Sequence, residues 1–239
     1  MLPRLRVSPL TEALFFWALA FSLLLGSSLL FGQGTLTKLV AVLSFLLLPK
    51  VALGVCSSKL SLTQRADFGL HFQFWKADLR SFFLFFLPIL ILFPLLYVAW
   101  LEFHHHLALL PFLAPFIQAS PATWEFGFRL PEQFPAWIVD QYLVVALSEE
   151  YFYRGYLQSR LNERWPKKTN LWKPGLWLTA LLFAVGHLAT FNVLQLSVFF
   201  PALLFGWARE KTQGLLCPIL LHGSCNLLLM VLQASFLRS

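Results

Sequence analysis

Charge is what this sequence has least of. Of 239 residues only 29 carry a formal charge, 18 basic and 11 acidic, which is 12%, where a soluble domain has about 25%. A water-soluble globule of this length has no way to hide 26 Phe and 9 Trp and still cover itself with polar groups, which argues against a soluble enzyme and a nucleic-acid-binding domain. A disordered chain is disfavoured by the same apolar excess. Cysteine is also sparse: Cys56, Cys217 and Cys225 form no Cys-x-x-Cys pair and all lie in or beside apolar runs. Neither a disulfide framework nor a thiolate zinc site is supported. With no internal repeat, no low-complexity tract and no long linker, residues 1–239 are expected to form a single integral membrane domain.

What the sequence has instead is apolar runs near 20 residues. They predict an all-α polytopic bundle with spans at roughly 13–31, 36–56, 82–101, 136–158, 174–190, 192–208 and 214–236. Pro49-Lys50 interrupts the second run, and 107–117 is too short to cross, so it is expected to be re-entrant or interfacial. The first run follows Arg4 and Arg6 but continues through Leu29, Leu30 and Phe31 without a small-x-small cleavage site, so it reads as a retained helix. The net charge of +7 comes from basic residues sorted by alternate loops. Segment 50–80 holds Lys50, Lys59, Arg65, Lys76 and Arg80, and 159–173 holds Arg160, Arg164, Lys167, Lys168 and Lys173. Arg209 and Lys211 follow in 209–213, whereas 102–135 has Arg129 against Glu102, Glu125 and Glu132. By the positive-inside rule the N-terminus is expected in the cytoplasm and the C-terminus outside.

Against this background the fourth run carries Asp140, Glu149, Glu150 and Arg154, the fifth His187, and the seventh His222 and Asn226. An ionisable group in mid-membrane costs about 2.5–3.5 kcal/mol on insertion scales, so each needs a use or a partner. Glu150 and Arg154 stand four apart, acid first, the spacing of an internal helical ion pair. Glu149, turned about 100° away, is left to face other helices. His222 and Asn226 share a face, with Gly223 between them as a site of close helix approach. Counting about 1.5 Å per residue from the expected cytoplasmic ends puts Glu149 at ~13 Å, His222 at ~12 Å and His187 at ~15–20 Å, one level within boundary error. Asp140, near the outer end of its run, is expected to be solvated. His104-His105-His106 point about 100° apart on a helix and read as incidental interfacial histidines. Cys225 is expected to be a neutral buried thiol.

Three motifs now stand in order: Glu149-Glu150-Tyr151-Phe152-Tyr153-Arg154, Phe183-Ala184-Val185-Gly186-His187 and His222-Gly223-Ser224-Cys225-Asn226. Together they resemble the Glu-Glu-x-x-x-Arg, Phe-x-x-x-His and His-x-x-x-Asn motifs of the CAAX-protease and bacteriocin-processing (CPBP) family of intramembrane endopeptidases. The resemblance covers 136–236, the expected catalytic helical core, and leaves the variable helices of 13–101 unmatched. It implies that Glu149 and His187 activate a water while His222 and Asn226 stabilise the oxyanion, with Glu150 and Arg154 as structural support. It also implies a membrane-anchored or lipidated protein or peptide as substrate, within the lipid bilayer of what is expected to be a bacterial inner membrane. No cofactor is favoured, because a His-Glu-x-x-His helix is lacking and Asn suits zinc poorly. A zinc ion held by Glu149, His187 and His222 stays open as the alternative. So does a non-enzymatic transporter or immunity protein, although neither inverted repeats nor broken helices are evident.

Overall fold

The structure, a computed structural model, describes residues 7–56, 68–71, 73–108, 124–165 and 173–238. Helix α1 (Pro9–Phe31) is capped by Ser8, whose hydroxyl accepts from the Thr11 N–H, and has proline in its first turn, a sound helix start. Helix α2 (Thr35–Val55) keeps Pro49 inside it, so the Pro49-Lys50 interruption does not break the helix. Transmembrane helices tolerate such a residue because packing neighbours and local backbone adjustments re-satisfy the freed carbonyl. Helix α3 (Trp75–Ala108) extends well beyond the predicted 82–101 at both ends and contains His104, His105 and His106. The rest of the expected re-entrant segment lies outside the described residues.

The fourth helix, α4, runs unbroken from Phe134 to Arg164 but changes its winding four times. It is α over Phe134–Val139, π over Asp140–Ala146, α over Leu147–Glu150, π over Tyr151–Leu157 and α again over Gln158–Arg164. Helix α5 (Pro174–Gly186) ends in a 3₁₀ turn, His187–Thr190, and a second 3₁₀ stretch, Val193–Val198, leads into α6 (Phe199–Thr212). The predicted spans 174–190 and 192–208 are thus each part α and part 3₁₀. Helix α7 (Leu216–Ser235) completes an all-α bundle, of seven helices among the described residues, followed by a strand, β2 (Phe236–Arg238), antiparallel to β1 (Trp124–Phe126). Among the described residues four helical stretches, Pro9–Phe31, Thr35–Val55, Trp75–Phe103 and Leu216–Ser235, are long and apolar enough to cross a membrane. Their outward faces expose large side chains such as Leu29, Leu30 and Ile91, surface suited to lipid and costly in water. The chain is an integral membrane protein.

Polar contacts fix the two ends of the bundle. At one end Arg160 of α4 binds Glu12 of α1 at 2.6 Å, Lys173 before α5 pairs with Glu210 of α6, and Leu215 before α7 donates to Gly69 O at 2.9 Å. At the other end Gln33, between α1 and α2, donates to Ala189 O at 3.0 Å. There too Lys38 of α2 pairs with Asp140 of α4, and the Arg129 N–H reaches Ser235 Oγ at 3.0 Å. Asp140 is therefore partnered, by Lys38 and by Gln141 Nε2 at 2.8 Å, and not simply solvated as its position predicted. A cation arriving from another helix is invisible to a reading of α4 alone.

Between the ends, aromatic side chains form the core. Phe45 of α2 packs on Phe152 and Tyr153 of α4, with ring centroids 5.0 and 5.6 Å apart. Tyr153 in turn meets Phe183 of α5 at 4.9 Å. Helix α7 comes close to α4 at Gly223, where an added Cβ would run into the Tyr142 ring. The same approach lets Tyr142 Oη and Ser224 Oγ share a 2.6 Å hydrogen bond. Gly223→Ala is expected to destabilise the protein by about 1–3 kcal/mol through overpacking, seen as a lower melting temperature in detergent; an unchanged melt would contradict this packing.

Candidate active site

The polar side chains of the three motifs are carried by α4, α5 and α7. Arg154 Nη1 donates to Glu150 Oε1 at 2.9 Å, and both side chains are fully buried. Nη2 of Arg154 donates to Ala202 O at 3.1 Å, and its guanidinium lies over the rings of Phe183 (4.5 Å) and Phe205 (5.4 Å). A buried cation held by a carboxylate, a carbonyl and two π faces is compensated in a way that a lone charge is not. Glu150 has a further partner that the sequence does not reveal. His222 Nδ1 lies 2.7 Å from the same Oε1, and since a carboxylate accepts, Nδ1 carries the proton.

That bond orients the rest of the cluster. The His222 ring stacks on Phe205, with centroids 5.0 Å apart, and its Nε2 stands 3.9 Å from Glu149 Oε2. This is beyond hydrogen-bond reach, and among the described residues Glu149 Oε2 is buried with no hydrogen-bond partner. The adjacent glutamates thus divide: Glu150 is tied to Arg154 and His222, whereas Glu149 faces a cavity. They sit on the four-residue α stretch between the two π turns of α4. Each π turn accommodates an extra residue and so re-aims the side chains beyond it, a device common at functional sites.

The cavity, about 460 Å³, has Glu149, Tyr153 and His187 on its lining. His187 stands where α5 gives way to 3₁₀ winding, and its Nδ1 is 2.9 Å from Phe183 O. A carbonyl only accepts, so Nδ1–H donates and Nε2 is left as the acceptor. Gly186 makes room for Tyr153, since a Cβ there would come 2.6 Å from its hydroxyl.

The structure does not bring all four proposed catalytic residues onto one surface. Glu149 and His187 share the cavity and His222 adjoins Glu149, but the Asn226 side chain donates from Nδ2 to Gln141 Oε1 at 2.9 Å. An amide nitrogen has two protons, so one remains for another acceptor. Depth also differs from the sequence count. Helix α4 continues to Arg164 because Arg160 is anchored by Glu12 and Glu163, which leaves Glu149 midway along it. Among the described residues no group of three or more His, Cys, Asp or Glu side chains is placed to hold a metal ion.

Fold and site together define a helical integral membrane protein with a buried carboxylate and imidazole cluster beside a cavity. Residues 131–228 match the family model described as Rce1-like, type II CAAX prenyl endopeptidase, and all three motifs lie within this segment. No curated protein and no solved structure matches the chain.

Proposed function

We propose that the protein is an intramembrane endopeptidase that hydrolyses a peptide bond in a membrane-anchored or lipidated polypeptide, without a metal. The observation that carries this reading is that Glu149 and His187 line one cavity while the oxygen of Glu149 nearest His222 has no hydrogen-bond partner among the described residues. A carboxylate so placed can accept a proton from water, and His187 Nε2 can accept the hydrogen bond that orients that water. As the water oxygen bonds to the substrate carbonyl carbon, its proton passes to Glu149 and the C=O π pair moves onto oxygen. His222 and Asn226 stabilise that oxyanion, Asn226 through the amide proton not given to Gln141. Because Nδ1 of His222 is held by Glu150, Nε2 is the ring atom turned toward Glu149 and the reacting carbonyl. Collapse of the tetrahedral intermediate breaks the C–N bond, and the leaving amine takes the proton from Glu149.

The donor set favours this over zinc. The Asn226 amide is engaged by Gln141, and an Asn ligand suits zinc poorly. Asn226→Ala is expected to lower turnover by about 10²–10³ with little change in substrate binding, the usual cost of losing one oxyanion donor. Purified active protein should contain no stoichiometric metal and keep its activity in strong chelators. One zinc per active chain by elemental analysis, lost together with activity in His222→Ala, would restore the metalloprotease reading.

A further inference from the structure

The exposed residues on the cavity lining all lie at one end of the bundle. The cavity rim is formed by Gln33 and Thr35 in the turn between α1 and α2, by Lys38, by Trp137 near the start of α4 and by Thr190 after α5. Gln33, Thr35, Trp137 and Thr190 are exposed. On the other side of Glu149, α4 is sealed: Phe152, Tyr156 and Leu157 are fully buried, and Glu12 and Arg160 close that end with an ion pair at 2.6 Å.

The sealed end is the basic one. Lys76 and Arg80 at the start of α3, Arg164 at the end of α4, Lys173 before α5 and Lys211 at the end of α6 all belong to it. The rim end holds Lys38, Arg129 and Arg238, and Lys38 is matched by Asp140. Lysine and arginine near helix ends are retained on the cytoplasmic side of a membrane. The same helices that hold the site thus direct its opening away from the cytoplasm.

We infer that the cavity opens on the exterior face of the membrane, and that the substrate is an exported, membrane-anchored polypeptide presenting its scissile bond from that side, not a lipidated tail in the cytosol. The substrate class rests on the protease reading above; the direction of the opening does not. Depth agrees with it, because Glu149, midway along α4, is reached from the rim past Trp137, three turns earlier on the same helix. The rim chemistry fits an extended peptide backbone. Gln33 and Lys38 keep the N–H protons not given to Ala189 O and Asp140, Trp137 supplies an apolar face, and the first turn of α2, with no side-chain cap at Gly34, has N–H groups to donate.

Accessibility labelling in intact cells tests the direction. Thr35→Cys and Thr190→Cys, at exposed rim positions, are expected to react with a membrane-impermeant maleimide before the cells are opened, and Arg164→Cys only afterwards, a difference of about tenfold or more. The unsubstituted protein gives the baseline, since Cys56 and Cys217 are buried and Cys225 half-buried. Two rim positions are used so that a folding defect in one leaves the other to read. The reverse pattern, or equal labelling of all three before and after permeabilisation, would overturn the inference. Labelling needs no turnover, so a cavity facing the cytoplasm would refute the exterior substrate and leave the protease reading standing. An active Glu149→Gln protein would refute the protease reading and leave the labelling pattern unchanged.

Discussion

Glu149→Gln is expected to reduce cleavage by about 10²–10⁴-fold, the contribution of a positioned general base, in a protein that accumulates and melts like wild type. The side chain is only partly buried, at 18% exposure, and its Oε2 makes no hydrogen bond among the described residues. Replacing the carboxylate with an amide of the same shape therefore breaks no packing and strands no buried charge. The residue whose loss is felt in the chemistry is the one the fold does not depend on. Cleavage of a membrane-anchored precursor by the purified variant, measured beside its thermal unfolding, separates the two effects. Turnover equal to wild type would remove Glu149 from the mechanism.

The neighbouring glutamate should behave in the opposite way. Glu150→Ala takes the carboxylate from a fully buried Arg154 and from His222 Nδ1 together, and breaking a buried pair from one side costs about 3–5 kcal/mol. The π faces of Phe183 and Phe205 and the carbonyl of Ala202 remain, but none of them neutralises the guanidinium. Glu150→Gln should be milder, because its amide oxygen can still accept from one partner. We expect a large loss of folded protein in detergent for Glu150→Ala, a smaller loss for Glu150→Gln, and lower activity in both, since His222 loses its orienting bond. A Glu150→Ala protein that melts with wild type would show that the pair contributes nothing to stability.

The contrast between these two residues marks how far the sequence can be read. Apolar run length alone locates the helices, and α1, α2 and α7 start and end within a few residues of the predicted 13–31, 36–56 and 214–236. The motif spacings single out the residues that gather near mid-bundle. What sequence periodicity cannot show is contact between helices. Glu12 reads as an ordinary first-turn acid, yet it is buried against Arg160 at 2.6 Å and Tyr156 at 3.1 Å. An acid at the head of an apolar run and a basic residue at the tail of another was the available signal. Gln141 and Tyr142, which bind Asn226 and Ser224 across the α4–α7 contact, carry no sequence signal. The two π turns of α4 are equally silent, because their cost is met by tertiary packing and no residue type announces them. They alter which side chains share a face, so a spacing of 3.6 residues per turn holds only over the short α stretch around Glu149 and Glu150.

Hydrolysis of a peptide bond in a membrane-bound substrate, with Glu149 as the base, is the core of the proposed function. Quantitative mass spectrometry of the membrane fraction, from cells with the wild-type protein and cells in which Glu149→Gln replaces it at equal abundance, tests this most directly. At least one polypeptide is expected to accumulate as an uncleaved precursor in the variant and to be present as its shorter product in wild type. Indistinguishable membrane proteomes, with both proteins folded and equally abundant, would contradict it.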